Sequence, residues 1–515
     1  MKLKLLYLSL GLCLFTGCDD FLDVQPIGKL IPKEVAEFEN ILNNPRTVEY
    51  YYVDNNRGTS LANLGDNMEI SENMAEYLYT NTHPNIDRYA AYIFKKPYRN
   101  PNVNDYYWNW GTYRTAGLLN NVVDGIEGLQ NKGNVEYANE VVAQAKAARA
   151  WGYLTMALVY GPMYNPASDN SQKTIPYRTS GDPTQPNPNL ATTAEIFELV
   201  KADLDYALEH APENVGNPSR TNMCAVQALA AYYYMFARDW ENMLKYSNMA
   251  WQTALKQKGG VDNLIYNLGD FYYQPDPAVS PTPGTDAEVN LDLKGPDQLF
   301  EQTYHRELLF YRKAPAGTDY PSQDFLSLFD QENDLRYRLF ALKALGYSKV
   351  VGTKKVNDGI VTKWYRGKKT IETEALSFPE LLLMKAEANA RLGKTKDALA
   401  DLNLLRSYRY DRTKGTTDLE NGSSMNNDEL LTEIFKERRR ELPMGTFQRV
   451  LDLKRLAIDS GKPWCKTTVV HTVGSKTYSA EVLSDYFILP ISNVILEYNP
   501  QWGVELDNSP YNPKE

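Results

Sequence analysis

The sequence predicts a mainly α-helical fold of tetratricopeptide-like hairpins, interrupted by irregular loops and short strands. The first observation is the stretch 378–405, where apolar residues recur at helical spacing on both sides of Gly393. Glycine ends a helix at low cost because it readily adopts the left-handed conformation. The second observation is that small residues, among them Ala386, Ala388 and Ala398, allow the two helices to approach closely. Such a hairpin is too thin to bury its own apolar face, so it requires neighbouring hairpins.

The N-terminal half of the chain contains further segments with helical spacing. The apolar residues predict helices over 35–42, 108–129, 135–160, 192–210, 221–237 and 240–255. Thr192 and Glu195 have the spacing of a capping box, which satisfies backbone groups at a helix start. Ser219 or Thr221 is the expected cap of the helix that follows. The last two helices match the 378–405 hairpin in period, so we expect them to form a second repeat.

Two stretches break the helical pattern. Residues 61–103 mix polar and aromatic side chains without a clear period, which predicts irregular structure. Residues 260–375 contain a proline-rich loop at 276–284 and runs, SKVV and IVTKWY, that are typical of short strands. After the 378–405 hairpin, the sequence predicts one more helical pair, over 428–441 and 447–458. Short strands, which include TTVVHTV and YFILPI, are predicted in the tail at 466–500.

Composition and charge exclude some functions. Hydrophobic residues make up 43% of the 515 residues, enough for a sizeable core, and the net charge is −10. A general nucleic-acid binder would instead show a clustered basic surface. Tyrosine is unusually common, with 37 residues against 16 phenylalanines. Since tyrosine joins a flat apolar face to a polar tip, this excess favours half-exposed aromatic surface of the kind found in carbohydrate or peptide sites.

The N-terminus predicts a lipoprotein signal peptide over residues 1–17. Two lysines precede an apolar run at 5–15 that is shorter than the roughly 20 residues of a spanning helix. The run ends in Leu-Phe-Thr-Gly before Cys18, the pattern of a bacterial lipobox, so we expect lipidation at Cys18 and attachment to a membrane. In the mature chain Cys224 and Cys465 remain, too few for a disulfide framework or a metal site, and Cys224 is expected to be buried.

Five motifs follow the lipobox along most of the chain. They are Ala147–Leu154 with Tyr160–Pro162, Lys385–Gly393 with Asp401–Arg406, Ile434–Leu442, Phe447–Arg455, and Phe487–Ile491 with Glu497, Asn499 and Pro500. In this order they resemble the SusD/RagB family of outer-membrane nutrient-binding lipoproteins. The resemblance implies about four tetratricopeptide-like pairs in a right-handed scaffold, with the irregular segments packed on one side and carrying the ligand site.

The resemblance also implies a domain plan and a partner. Residues 18–515 would form a single domain, with the scaffold at about 105–258 and 376–460 and the insertions at about 61–103 and 260–375. The protein would face the cell exterior and pass an oligosaccharide or polysaccharide to a SusC-like TonB-dependent β-barrel transporter. Some relatives resemble peptide importers, so a peptide-binding lid of such a transporter stays open as an alternative.

No catalytic constellation is evident in the sequence. The four histidines are scattered, and the chain has neither a Gly-x-Ser-x-Gly elbow nor a phosphate-binding loop. Glu433, Glu437 and Glu441 are spaced by four among arginines, which favours a solvated or ion-paired helix face over an acid–base pair. We therefore expect a binding protein with no cofactor and no metal, and not an enzyme.

The candidate ligand-binding residues lie in the irregular segments. Sugar rings stack on tyrosine or tryptophan faces, and their hydroxyls need planar polar partners such as Asp, Asn or Arg. The residues of these types that we select are Asp66, Asn67, Tyr77, Tyr98, Arg99, Asn100, Tyr272, Tyr273, Tyr320 and Trp364. Trp108, Trp110 and Tyr113 lie nearer a helix start and are expected to pack the first repeat.

Overall fold

The fold is known from a computed structural model. It describes residues 32–48, 59–80, 86–275, 291–297, 305–314, 320–351, 353–365 and 373–512. The predicted signal peptide, Cys18 and the proline-rich loop at 276–284 lie outside the described residues. Within those residues, no helix is both long enough and apolar enough to span a membrane.

Helices form most of the described chain. They are α1 (Val35–Leu42), α2 (Pro45–Val48), α3 (Thr59–Ala62), α4 (Glu72–Thr80), α5 (Ile86–Tyr92), α6 (Arg114–Glu127), α7 (Val135–Tyr160), α8 (Thr193–His210), α9 (Met223–Ala237), α10 (Trp240–Lys258), α11 (Gln323–Leu326), α12 (Leu335–Phe340), α13 (Phe378–Arg391), α14 (Thr395–Arg409), α15 (Asn427–Glu441), α16 (Gln448–Ala457) and α17 (Asn493–Glu497). A π-helix at Tyr107–Tyr113 leads directly into α6. The mainly α prediction is confirmed, and the predicted helix over 35–42 coincides with α1.

The scaffold is a succession of helices that each contact the next. The pairs α6–α7, α9–α10 and α13–α14 pack together, α8 joins the first pair to the second, and α10 contacts α13. Ala231, Ala386 and Ala388 are fully buried, and Gly393 ends the α13 turn at a φ of +73°. The hairpin at 378–405 therefore has the neighbours that its thinness requires. The expected fourth pair, α15 and α16, is linked by an ion pair from Arg438 to Asp452.

The caps of two helices test the sequence signals directly. In α8, the Glu195 backbone N–H donates to Thr192 Oγ1 at 3.1 Å, and the Thr192 backbone N–H donates to Glu195 Oε2 at 2.7 Å. The predicted capping box is therefore confirmed. The predicted cap of α9 is wrong, because Asn222 caps the helix by accepting a hydrogen bond from the Ala225 backbone N–H. Asparagine serves this role as well as serine or threonine does.

The segment 61–103 is more regular than predicted. It contains α4 and α5 together with the end of α3. Ile70, Met74 and Leu78 recur every four residues and are buried in a small cluster with Ile93. Isolated helices of this length are marginal in water, so α4 is stabilised by packing on this cluster and on the strand at Ser348–Val351. In the sequence, the polar residues between these apolar ones obscure their helical spacing.

The described strands form seven two-stranded antiparallel sheets. They are β1 (Met68–Glu69) with β7 (Tyr320–Pro321), β2 (Lys173–Pro176) with β3 (Leu190–Thr192), β4 (Tyr272–Pro275) with β5 (Leu291–Lys294), β6 (Leu308–Phe310) with β12 (Leu376–Ser377), β8 (Ala341–Leu345) with β11 (Ile360–Trp364), β9 (Ser348–Val351) with β10 (Lys354–Asn357), and β13 (Thr468–Val473) with β14 (Lys476–Glu481). Short strands in 260–375 are confirmed. The strand predicted for YFILPI is wrong, since a 3-10 turn at Asp485–Phe487 begins there.

Buried ion pairs hold the irregular segments to the scaffold. Glu437 of α15 is fully buried and pairs with Arg336 and Arg440, each at 2.6 Å. Arg336 also pairs with Glu441, which pairs in turn with Arg409. Burial opposes ionisation of Glu437, but the neighbouring arginines hold its pKa well below the usual range. The ion-paired interpretation is confirmed for these two glutamates.

Replacing Glu437 by glutamine should destabilise the fold strongly. The change leaves two buried guanidinium groups without their shared carboxylate, a loss of about 3–5 kcal/mol in the free energy of unfolding. Glu433→Gln is the matched control on the same helix, because Glu433 pairs at the surface with Lys436 and the change should cost about 0–1 kcal/mol. Chemical denaturation followed by tryptophan fluorescence measures both. Equal losses would contradict the buried network.

The same variant should alter the pH dependence of stability. Because the folded pKa of Glu437 is depressed, its contribution is present above its ordinary value of 4.5 and is lost as pH falls below it. The difference in unfolding free energy between wild type and Glu437→Gln should therefore shrink from about pH 5 towards pH 2. Denaturation curves at several pH values measure this difference. A difference independent of pH would show that Glu437 is not ionised in the folded protein.

Candidate functional site

The structure separates the ten predicted ligand-binding residues. Asp66, Asn67, Tyr98, Tyr320 and Trp364 are buried, whereas Tyr77 is 41% and Tyr272 58% exposed. Arg99, Asn100 and Tyr273 are half-buried. Ligand contact stays a prediction for all ten, and their surroundings indicate which of them face solvent and which hold the fold together.

Asp66 and Asn67 are used to join segments. Asp66 accepts hydrogen bonds from Arg449 and Lys466, at 2.7 to 3.0 Å, and Asn67 accepts one from Arg439 at 2.6 Å. Burial alone would raise the pKa of Asp66, but Arg449, Arg439 and Lys466 lower it well below the usual range. Both side chains are therefore occupied by contacts within the protein.

Trp364 and Tyr273 pack the insertion on itself. Trp364 lies in a cluster with Phe325, Phe329 and Phe340, with ring centroids 5.1 to 6.0 Å apart. The Tyr273 hydroxyl donates to the carbonyl oxygen of Leu339. Packing within the insertion therefore accounts for the presence of Trp364 and Tyr273 in this segment.

Tyr77 and Tyr320 both contact a third tyrosine, Tyr347. The ring centroids of Tyr77 and Tyr347 are 4.9 Å apart, and those of Tyr320 and Tyr347 are 5.4 Å apart. The ring planes are tilted by 50° and 56°, so the three rings do not form a flat stack. We call this group the tyrosine arc. It joins the segment 61–103, which supplies Tyr77, to the segment 260–375, which supplies the other two.

Asp358 fixes the polar side of the tyrosine arc. It accepts hydrogen bonds from Ser71 at 2.6 Å, from Asn73 at 2.7 Å and from the Tyr320 hydroxyl at 3.0 Å. The Tyr347 backbone N–H donates to the Tyr320 hydroxyl at 2.5 Å. Donors from both irregular segments therefore converge on one carboxylate.

Gly346 permits this close approach. A Cβ atom at this position would lie 2.6 Å from Asp358 Cβ and 2.8 Å from the Tyr320 hydroxyl oxygen. Both distances are shorter than real Cβ contacts allow. A glycine between β8 and β9 therefore lets the turn press against the tyrosine and the carboxylate.

The surroundings of the tyrosine arc shift the pKa values of Tyr320 and of the neighbouring Lys363. Burial raises the pKa of Tyr320, and the nearby Asp358 raises it further. Lys363 lies over the Tyr347 ring, with its Nζ 5.7 Å from the centroid, and burial lowers its pKa. The Tyr320 hydroxyl is therefore neutral near neutral pH and can donate to Asp358.

This arrangement suits a ligand with alternating apolar and polar surface. Tyrosine faces can accept the C–H faces of a sugar ring, and Lys363 together with the remaining acceptor position of Asp358 can pair with its hydroxyls. Among the described residues, no group of three or more His, Cys, Asp or Glu side chains is placed to hold a metal ion.

Tyr98, Arg99 and Asn100 lie in a different place, which we call the first-repeat cleft. Leu489, Pro490 and Ser492 close it from the C-terminal part, and its volume is about 510 Å³ including the open mouth. The Tyr98 hydroxyl donates to the carbonyl oxygen of Tyr486, and Arg99 pairs with Asp105 at 2.6 Å. Ser492 Oγ is buried and has no hydrogen-bond partner in the described chain.

Tyr272 lies apart from both groups, at the edge of a third depression. This depression lies between the turn at Leu268–Asp270, helix α12 and the end of α14, and it is lined by Arg338 and Asp411 among others. Its volume is about 1090 Å³ including the open mouth. The sequence prediction therefore mixed residues from three separate surfaces.

The sequence predictions missed two aromatic residues. Tyr347 is the centre of the tyrosine arc. In the sequence it lies between two strand-like runs, and its neighbour Gly346 indicates a turn. Trp110 was expected to pack the first repeat, and this is wrong because its side chain is 51% exposed. Trp108 stays buried, and Trp110 lies two residues further along the same helix, which places it on nearly the opposite side.

Comparison with known protein families gives two matches. The SusD family matches residues 347–501, and a family described as starch-binding and associating with the outer membrane matches residues 20–235. The first range contains Tyr347 and Asp358, and the second contains Tyr77. No curated protein matches the chain.

Several solved structures share the fold. A SusD superfamily protein from Bacteroides thetaiotaomicron has a TM-score of 0.62 at 18% identity, with 91% of this chain and 98% of that chain covered. One from Bacteroides vulgatus has a TM-score of 0.63 at 17% identity, with the same coverage. A SusD-like carbohydrate binding protein from Bacteroides vulgatus has a TM-score of 0.57 at 18% identity, covering 91% and 97%. At these identities the likeness shows the fold.

Gly346→Ala should disturb the tyrosine arc. The added methyl group would push Asp358 and Tyr320 apart, at a cost of about 1–3 kcal/mol in the free energy of unfolding. Amide hydrogen exchange should show faster exchange in the 69–77 and 345–361 segments. Gly216→Ala is the control, because no atom lies within 4 Å of a Cβ placed there. If the two variants exchange alike, the close packing at Gly346 is refuted.

Proposed function

Because this chain belongs to the SusD/RagB family, we propose that it is a cell-surface lipoprotein that binds a glycan and delivers it to a SusC-like TonB-dependent outer-membrane transporter. The tyrosine arc is the single observation that carries the choice of ligand. It places two partly exposed aromatic rings, Tyr77 and Tyr347, against the buried Tyr320 and beside Asp358 and Lys363, a combination that suits a sugar.

The position of the tyrosine arc supports a binding role. Tyr77 and Tyr347 come from the two segments that interrupt the helical scaffold. Tyr347 packs on a small apolar cluster that includes Met74 and Ile93, and Tyr77 contacts the Tyr347 ring. A rigid base beneath a partly exposed aromatic surface reduces the entropy lost on binding. The scaffold thus positions the site without contributing its own helices to it.

Anchoring and delivery follow from the sequence and the family. The lipobox ending at Cys18 supports attachment to the outer membrane, and the family description of outer-membrane association agrees with it. We infer that the protein faces the cell exterior and covers the mouth of its transporter. Affinity purification from native outer membranes tests the partnership, since a large β-barrel protein should co-purify. Repeated purification without one would contradict it.

Tyr77→Ala should weaken glycan binding. The side chain is exposed, so its removal should leave folding intact while one stacking face is lost, with a decrease in affinity of about tenfold. Isothermal titration against maltoheptaose, cellohexaose, xylohexaose and mannohexaose measures the effect on the probe that binds. Lys363→Met tests the polar partner and should weaken binding less.

Tyr272→Ala is the matched control, because Tyr272 is also an exposed tyrosine but lies away from the tyrosine arc. Its affinity should equal that of the wild type. Unchanged affinity in Tyr77→Ala would place the glycan elsewhere. If the protein binds none of the probes, and mass spectrometry instead finds co-purified peptides, the ligand is a peptide and the glycan proposal is overturned.

A further inference from the structure

We propose that a groove separate from the tyrosine arc is a second binding site for a neutral oligosaccharide. It lies between the π-helix, the loop at 176–187 and α17, and its volume is about 1030 Å³ including the open mouth. We call it the asparagine groove after Asn104, Asn109, Asn187 and Asn499. The inference rests on the proposed function, since it takes the ligand to be a glycan.

Tyr498 offers an aromatic face at the rim of the asparagine groove. Its side chain is 82% exposed, more than any other exposed large hydrophobic side chain in the described parts of the chain. Below it, Trp108 and Trp502 are buried with ring centroids 6.1 Å apart. An aromatic ring left so exposed contributes little to folding, because it removes little apolar surface from water. A sugar ring stacked on it would cover that surface.

The amides of the asparagine groove provide the polar partners. Neither the Asn104 nor the Asn109 side chain forms a hydrogen bond with another residue that the structure describes, although Asn109 is half-buried. An amide presents two donors and an acceptor. A sugar hydroxyl likewise both donates and accepts, so adjacent hydroxyls match amides without any charge.

The charge of the asparagine groove favours a neutral ligand. No aspartate or glutamate is among the described residues that line it, and its one cation is Arg178. The Arg178 guanidinium donates to the carbonyl oxygens of Ser180, Asp182 and Gln185 and to the amide oxygen of Asn187. Four of its five N–H groups are thus used to shape the loop. Only one N–H group of this guanidinium remains for an acidic ligand.

Hydrogen bonds and close packing within the protein fix the walls of the asparagine groove without a ligand. The Trp502 indole N–H donates to the carbonyl oxygen of Pro188 at 3.0 Å, and Asn187 donates to Asn499 at 2.9 Å. At Gly181 a Cβ atom would lie 2.1 Å from Asn121 Oδ1, so only glycine lets the loop approach α6 this closely. A groove with fixed walls loses little entropy on binding.

Titration with maltoheptaose, cellohexaose, xylohexaose and mannohexaose tests the second site by its stoichiometry. For a probe that binds, the wild type should take up two molecules per protein, and Asn109→Ala/Tyr498→Ala should take up one. Tyr77→Ala/Tyr347→Ala should also take up one, and the remaining binding should weaken about tenfold or more when Asn109 and Tyr498 are replaced as well. Tyr272→Ala serves as the control and should keep both sites.

The outcomes separate this inference from the proposed function. One bound molecule per wild-type protein, lost in the Tyr77/Tyr347 variant and unchanged in the Asn109/Tyr498 variant, overturns the second site and leaves the function intact. No binding of any probe overturns both. Thermal denaturation checks that each variant is folded. Replacing Tyr498 should not impair folding, because its side chain is exposed.

Discussion

Three consecutive arginines of α15 hold the two irregular segments to the helical scaffold. Because a helix turns about 100° per residue, their side chains point in different directions. Arg438 reaches into the scaffold, Arg439 reaches the segment 61–103, and Arg440 reaches the segment 260–375; their respective partners are Glu380, Asn67 and the carbonyl oxygen of Leu328. A buried guanidinium without partners is costly. Each arginine therefore fixes the position of its segment, and the fold depends on all three.

The attachment of the segment 61–103 by Arg439 also affects the geometry of the tyrosine arc. Arg439 holds Asn67, whose carbonyl oxygen accepts a hydrogen bond from the Ser322 backbone N–H at 2.9 Å. This contact continues the pairing of β1 with β7, in which Glu69 stands opposite Tyr320. The helix that carries Tyr77 begins just after β1. The contacts of Arg439 thus help to determine how Tyr77 and Tyr320 lie relative to each other.

The sequence predicted the scaffold well because apolar period is a local property. It did not show which candidate site residues are buried and which are exposed, because contacts between distant segments are not a local property. Asp66 and Tyr77 look alike in a mixed polar and aromatic stretch, and only the fold shows that one is buried against arginines while the other faces solvent. Lys454 is a further case: it is buried, it donates to the carbonyl oxygen of Gly161 near the end of α7, and burial lowers its pKa to about 7. No periodicity places a lysine in a core.

The two proposed sugar surfaces differ in a way that fits capture followed by release. The tyrosine arc uses tilted rings with a carboxylate and a lysine, whereas the asparagine groove uses one exposed ring with uncharged amides. Tyr77 and Tyr498 are exposed to solvent, so we expect each proposed surface to bind weakly alone. A chain long enough to touch both would be held by effective concentration, while a shortened chain would leave quickly. Under the proposed delivery to a transporter, retention by two open sites would end when the chain is drawn away from one of them.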